Sequence, residues 1–333
     1  MRLAAACPGL GWRRRVPPPG PIGLLRRTFI AIAGLATGTR DIEGIGPVLK
    51  PDRVAPPPHL KPPGEAVAGS AQSRAPASDR RGVPGRLWTA TWQLGALVAL
   101  VVLYLGAASL LALVAVRVGF DLWKGIDPFL PPEQRPFIGA VELAHRAFAI
   151  DALRQVFLAA LVLGGAWWQD RTGWRRRLAL DRERLNGMRP VALLALLLVW
   201  PVLHIAWVTG TAELFGASFG QHVRLSPFMS QAAVAAWLAY LAILAPVAEE
   251  LLLRGEAFAR AQAAVGPLAA ILVTALIFAA AHVSSWGLAR PVSLLPLALA
   301  LGWLRWRTGR LWPGIALHGW SNLALVTYLL WPA

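Results

Sequence analysis

Cysteine is nearly absent: among 333 residues only Cys7 is one. A single thiol excludes a disulfide framework and a cysteine-rich zinc site. Its place in a proline- and arginine-rich segment leaves no credible cysteine nucleophile. Charge is scarce as well. Lys, Arg, Asp and Glu together make up 15% of the chain, with only 17 acidic residues against 33 basic ones. Set against 56% hydrophobic residues and a mean hydropathy of +0.52, so little charge points away from a water-soluble domain and toward a bilayer. A signal peptide is not expected either, because "MRLAAACPG" has a charge but no adequate apolar run before Pro8.

What charge there is lies unevenly. Residues 1–86 hold 14 Arg/Lys, 5 Asp/Glu and 14 of the 27 prolines. Such a segment cannot bury enough apolar surface to fold and is expected to be a disordered basic arm. Its one apolar patch, "TFIAIAGLATG", is too short to span a bilayer. The arm suits an anionic lipid surface, and nucleic acid is not expected as a partner.

From Leu87 onward, apolar runs near the ~20 residues needed for a span recur. Helices are expected near 89–116, 150–168, 190–208, 229–263, 267–284, 292–305 and 311–331. The predicted fold class is therefore an all-α polytopic membrane protein of about seven transmembrane helices. It divides into the arm (1–86), N-terminal transmembrane helices (87–228) and a C-terminal helix bundle (229–333). Tryptophans at the expected span ends (Trp88, Trp92, Trp167, Trp168, Trp207, Trp286, Trp312, Trp331) fit interfacial anchors. The stretch 169–189 holds seven arginines and 305–310 three, whereas 209–228 and 285–291 hold one each. The positive-inside rule then places the N-terminus in the cytoplasm and the C-terminus outside a cell membrane.

Within the fourth expected helix stands "APVAEELLLRGEAFARAQ". A charge at the bilayer centre costs at least ~2.5–3.5 kcal/mol, so charges there normally pair. Glu250 and Arg254 form an i, i+4 pair in the favourable order. Glu249 points ~100° away and is left without that partner. The next helix offers Phe278 and His282 on one face. Glu249 lies 17 residues before Gly266 and His282 16 after it, so, if both helices are regular, each group sits ~25 Å from that turn and the two meet at one height. In "WPGIALHGWSNLALV", His318 and Asn322 again share a face. His318, however, is only about two turns into its helix, roughly 10 Å. Helix tilt, or deep insertion of the Trp312-Pro313-Gly314 turn, is needed to bring it level with His282. Of the remaining polar residues, His204 is expected in the core or at an interface. His145 and His222 are expected in loops, and Arg154 at a span end with its head group snorkelling.

Glu249-Glu250-x-x-x-Arg254, Phe278-x-x-x-His282 and His318-x-x-x-Asn322, in this order, resemble the motifs of the CPBP family (CAAX protease and bacteriocin-processing, or Abi). That family includes the type II CAAX prenyl endopeptidases. The resemblance covers about 229–331. It implies an intramembrane endopeptidase acting on membrane-associated or lipidated proteins or peptides. In such a site Glu249 and His282 would activate water, while His318 and Asn322 would polarise the scissile carbonyl and stabilise its oxyanion. Glu250 and Arg254 would shape the site, with Phe278 packing on His282. No cofactor is required in this reading. Zn²⁺ held by Glu249, His282 and His318 is the alternative, although no H-E-x-x-H pair is present. Two other function classes compete: a non-proteolytic relative serving self-immunity or binding a partner, and a proton-coupled transporter. A transporter would show repeated motifs, and no second copy of these motifs is visible.

Overall fold

The structure, a computed structural model, describes residues 83–181, 187–216, 228–283 and 287–330. All belong to the second of two units into which the chain divides, Arg74–Ala333. The expected arm lies, up to residue 82, outside the described residues, as do His222, Trp286 and Trp331.

Seven main helices follow one another with no strand among the described residues: α1 Val83–Trp123, α2 Ala140–Gln169, α3 Pro190–Leu214, α4 Gln231–Val265, α5 Pro267–Ala280, α6 Ala289–Thr308 and α7 Trp312–Leu330. Four of them, α1 (from Leu87), α2, α3 and α4, are long and apolar enough to cross a membrane, and α5 is a shorter apolar helix. The seven expected helices are thus present, while four meet the length and hydropathy of a full span. Polarity explains the difference in part. α6 carries Arg290, Arg305 and Arg307, and α7 carries His318, Ser321 and Asn322.

The chain is all-helical and multi-pass by these criteria, and its side chains divide as a bilayer requires. Leu103, Leu110, Leu198 and Val202 are at least 62% exposed. The interior is built largely of small residues, including Ala108, Ala112, Ala166, Ala248, Ala257, Ala270, Ala275 and Ala298, which allow close helix approach. Trp88, Trp92 and Trp168 are more than 70% exposed, as interfacial anchors are.

Successive helices alternate in direction. The Arg-rich connection after α2 meets the α6–α7 turn: Arg310 Nη1 donates to the Asp181 carbonyl at 2.8 Å, Arg307 Nη2 to Gly187 at 2.9 Å and the Leu311 amide to Ala179 at 3.2 Å. Arg260, near the end of α4, reaches Gln169 at the end of α2. The arginines of these segments therefore gather at one end of the bundle. At the opposite end, His145 Nε2 lies 3.5 Å from Ser230 Oγ.

Two expectations are corrected here. α2 begins at Ala140, ten residues earlier than expected, so His145 is helical and not in a loop. For the same reason Arg154 is not at a span end. It lies mid-helix, where Nη2 pairs with Asp151 at 3.2 Å.

α4 is the central helix and is not a regular one. α-Helical turns at Gln231–Ala239, Ala245–Glu250 and Phe258–Val265 alternate with π-helical segments at Tyr240–Leu244 and Leu251–Ala257. Pro246 helps to account for the first. It has no N–H to return to the carbonyl of Leu241 or Ala242, its i−5 and i−4 neighbours. Every residue of the second segment is buried, so α4 meets neighbours on all sides there.

Candidate functional site

The two glutamates follow one another on α4 into different surroundings. Glu250 is fully buried, and its Oε1 accepts from Arg254 Nη1 at 2.9 Å. Arg254 is 1% exposed, and its Nη2 donates to the Ala298 carbonyl of α6 at 2.9 Å. Its guanidinium also stacks on the Phe278 ring, 5.0 Å from the centroid. A buried charge pair of this kind is tolerable because the guanidinium has further partners. Gly314 of α7 leaves room for it, since a Cβ there would stand 3.2 Å from Glu250 Oε2.

Glu249 keeps 19% of its side chain exposed, and among the described residues no arginine or lysine is shown paired with it. Its Oε2 lies 3.8 Å from His318 Nε2, and its Oε1 accepts from Gln155 Nε2 at 3.2 Å. It faces a cavity of about 430 Å³ also lined by His282, His318 and Asn322, the other three residues singled out from the sequence. Helices α4, α5 and α7 thus bring the four together. Glu250 and Arg254 stand behind this lining and do not contribute to it.

The imidazoles are held in definite orientations. His282 follows the last turn of α5, and its Nδ1 lies 2.8 Å from the Phe278 carbonyl. A carbonyl can only accept, so Nδ1 carries a proton, and in the neutral imidazole Nε2 then bears the lone pair. The Phe278 ring packs on His282 at 4.6 Å between centroids and meets His318 edge-on at 5.6 Å. His318 Nδ1 lies 3.1 Å from Glu250 Oε1, so the ion-paired glutamate fixes one imidazole nitrogen and directs the other toward Glu249.

His318 and His282 line the same cavity. In the α6–α7 turn Leu311, Pro313 and Gly314 are packed into the protein while Trp312 is half exposed, and the Ala179 carbonyl caps the turn through the Leu311 amide. Asn322, one turn beyond His318, donates from Nδ2 to the Leu241 carbonyl at 3.0 Å. That carbonyl is one that Pro246 cannot satisfy. α7 approaches so closely here that a Cβ on Gly319 would run into the carbonyl of Ala242. The irregularity of α4 is therefore the seat on which α7 presents His318 and Asn322.

Sequence reasoning missed Gln155, together with Asp151, Arg154 and Tyr240, which also line the cavity. The only signal for Gln155 was an amide inside the apolar stretch "LRQVFLAALVLGG". His204 is buried against Trp200 outside the cavity lining, as a core histidine. Among the described residues no three His, Cys, Asp or Glu side chains converge closely enough to hold a metal ion.

No curated protein and no solved structure matches the chain. Residues 231–324, which begin at the first residue of α4 and end just past Asn322, match the family described as type II CAAX prenyl endopeptidase Rce1-like, in agreement with the resemblance that the three motifs carry.

Proposed function

We propose that the chain is an intramembrane endopeptidase that cleaves membrane-associated or lipidated proteins or peptides with a glutamate- and histidine-activated water. The observation that carries this reading is the convergence of Glu249, His282, His318 and Asn322 on one cavity, with the neighbouring Glu250 already committed to Arg254. A partly exposed carboxylate and a neutral Nε2 are suited to take a proton from water. The water oxygen adds to the scissile carbonyl carbon, and its proton passes to Glu249 or His282. With Nδ1–H held by Glu250, His318 would offer a second N–H, on Nε2, as an imidazolium, and that group and the remaining Nδ2–H of Asn322 would face the negative charge that develops on the carbonyl oxygen. Collapse of the tetrahedral species breaks the C–N bond, and the stored proton leaves with the amine. General-base activation contributes typically ~10²–10⁴-fold and each oxyanion donor ~10²–10³-fold, which suits slow hydrolysis inside a membrane. No step needs a metal.

The family's description as a prenyl endopeptidase makes a prenylated C-terminal peptide the first substrate to try. Its lipid chain would lie along the apolar wall formed by Val101, Leu105, Leu252, Leu253 and Leu294. The test is cleavage of a fluorogenic farnesylated peptide by purified protein in lipid nanodiscs. The wild type should release the C-terminal fragment and Glu249→Gln should not. Equal release by both would contradict the assignment of Glu249. Treatment with a chelator that strips bound metal should leave the wild-type rate unchanged, and loss of activity restored by Zn²⁺ would replace the metal-free route.

A further inference from the structure

The family match starts at α4, yet Glu249 is held from outside the matched segment. Gln155 stands in the middle of α2, 4% exposed, and donates from Nε2 to Glu249 Oε1 at 3.2 Å. The same amide also meets the Tyr240 side chain of α4, and among the described residues its Oε1 makes no other hydrogen bond. An amide inside an apolar helix is favourable only where polar partners receive it, and both of these partners belong to the α4 wall of the cavity. The contact with Glu249 is the one that ties the amide to the four converging residues. That contact completes a definite geometry. One carboxylate oxygen is tied to α2, and the other lies 3.8 Å from His318 Nε2 on α7. Groups from α2 and α7 thus surround the α4 carboxylate, one oxygen accepting a hydrogen bond and the other facing an imidazole. Without the amide, the side chain of Glu249 would be free to turn about its outer torsions into the cavity.

We propose that Gln155 is a positioning residue for Glu249, fixing the carboxylate in the orientation from which it takes the proton of water. α2 then supplies an essential part of a site whose other groups come from α4, α5 and α7. The kinetic part of this proposal rests on the hydrolytic reading above, whereas the contact itself does not.

The test uses Gln155→Met, close in length but lacking the N–H donor, in the full chain in nanodiscs. With the farnesylated peptide as probe, kcat should fall about 10–100-fold, the loss expected for a displaced catalytic group, while KM and the melting temperature stay near wild type. A mere interhelical tie would instead lower the melting temperature and leave kcat per folded molecule unchanged. Infrared difference spectroscopy provides the second readout, independent of any substrate. The carboxyl band lost in Glu249→Gln identifies Glu249, and this band should shift in Gln155→Met. An unmoved band, or a shifted band with unchanged kcat, overturns the proposal. If the wild type leaves the peptide intact, the protease reading fails on that substrate, and the band still decides whether Gln155 holds Glu249.

Discussion

Glu249 and Glu250 are chemically identical neighbours, and what separates them is what each one meets. Arg254 and His318 share Glu250 Oε1, in a place without solvent, whereas Glu249 faces a cavity. Replacement with glutamine should therefore give opposite phenotypes. Glu250→Gln leaves the Arg254 guanidinium buried without its counter-charge and should cost about 3–5 kcal/mol, read as lost folded yield and a lower melting temperature. Glu249→Gln should leave the melting temperature near wild type and reduce kcat by at least about 10²-fold. If Glu250→Gln folded normally and Glu249→Gln did not, the two roles would be reversed. His318→Ala and Asn322→Ala should each lower kcat about 10²–10³-fold with little change in KM, because an oxyanion donor acts mainly in the transition state.

At the scale of elements, the interlock of α4 and α7 decides the site. Gly319→Ala adds one methyl group to a helix, which ordinarily favours helix formation by roughly 0.5–1 kcal/mol. Here that methyl would meet the Ala242 carbonyl, so α7 must move and carry His318 and Asn322 with it. The substitution should lower both the melting temperature and kcat. Gly164→Ala on α2, where the added Cβ meets nothing within 4 Å, is the control and should leave both near wild type. Pro246→Ala tests the same interlock from the other side. It restores an N–H that competes with Asn322 for the α4 carbonyls, so activity should fall without loss of stability.

These elements also show which parts were legible beforehand. The Glu249, His282 and Gly266 spacing was readable only in outline. α4 and α5 leave one turn, but Leu251–Ala257 is π-helical and His282 lies past the last residue of α5, so a uniform rise per residue does not hold on either side. The i, i+4 ion pair was readable because both residues lie on one helix. The π-helical segments were not, since they arise from a proline and from packing on every side of α4, and neither leaves a periodic mark. The level of His318 was foreseen only as a condition, because burial of the α6–α7 turn depends on the distant Ala179. Gln155 was invisible for a related reason. A lone amide in an apolar helix does not announce its partner 94 residues away.

For the whole molecule, the arginines gathered at one end predict orientation. A reporter inserted after Thr172 should read as cytoplasmic and one after Gly125 as external, and the opposite pattern would contradict the positive-inside reading. The residues of the α5–α6 connection and the start of α6 that line the cavity, His282, Val283 and Arg290, belong to the end opposite the arginine-rich connections. The most direct test of the central claim, that Glu249 drives peptide-bond hydrolysis in this cavity, is quantitative mass spectrometry of membrane peptides. Cells making the wild-type chain are compared with cells making Glu249→Gln at equal protein level. The account predicts a defined set of uncut membrane-associated precursors that accumulate only with Glu249→Gln, together with loss of their C-terminal fragments. Identical peptide profiles in the two cell populations would contradict it.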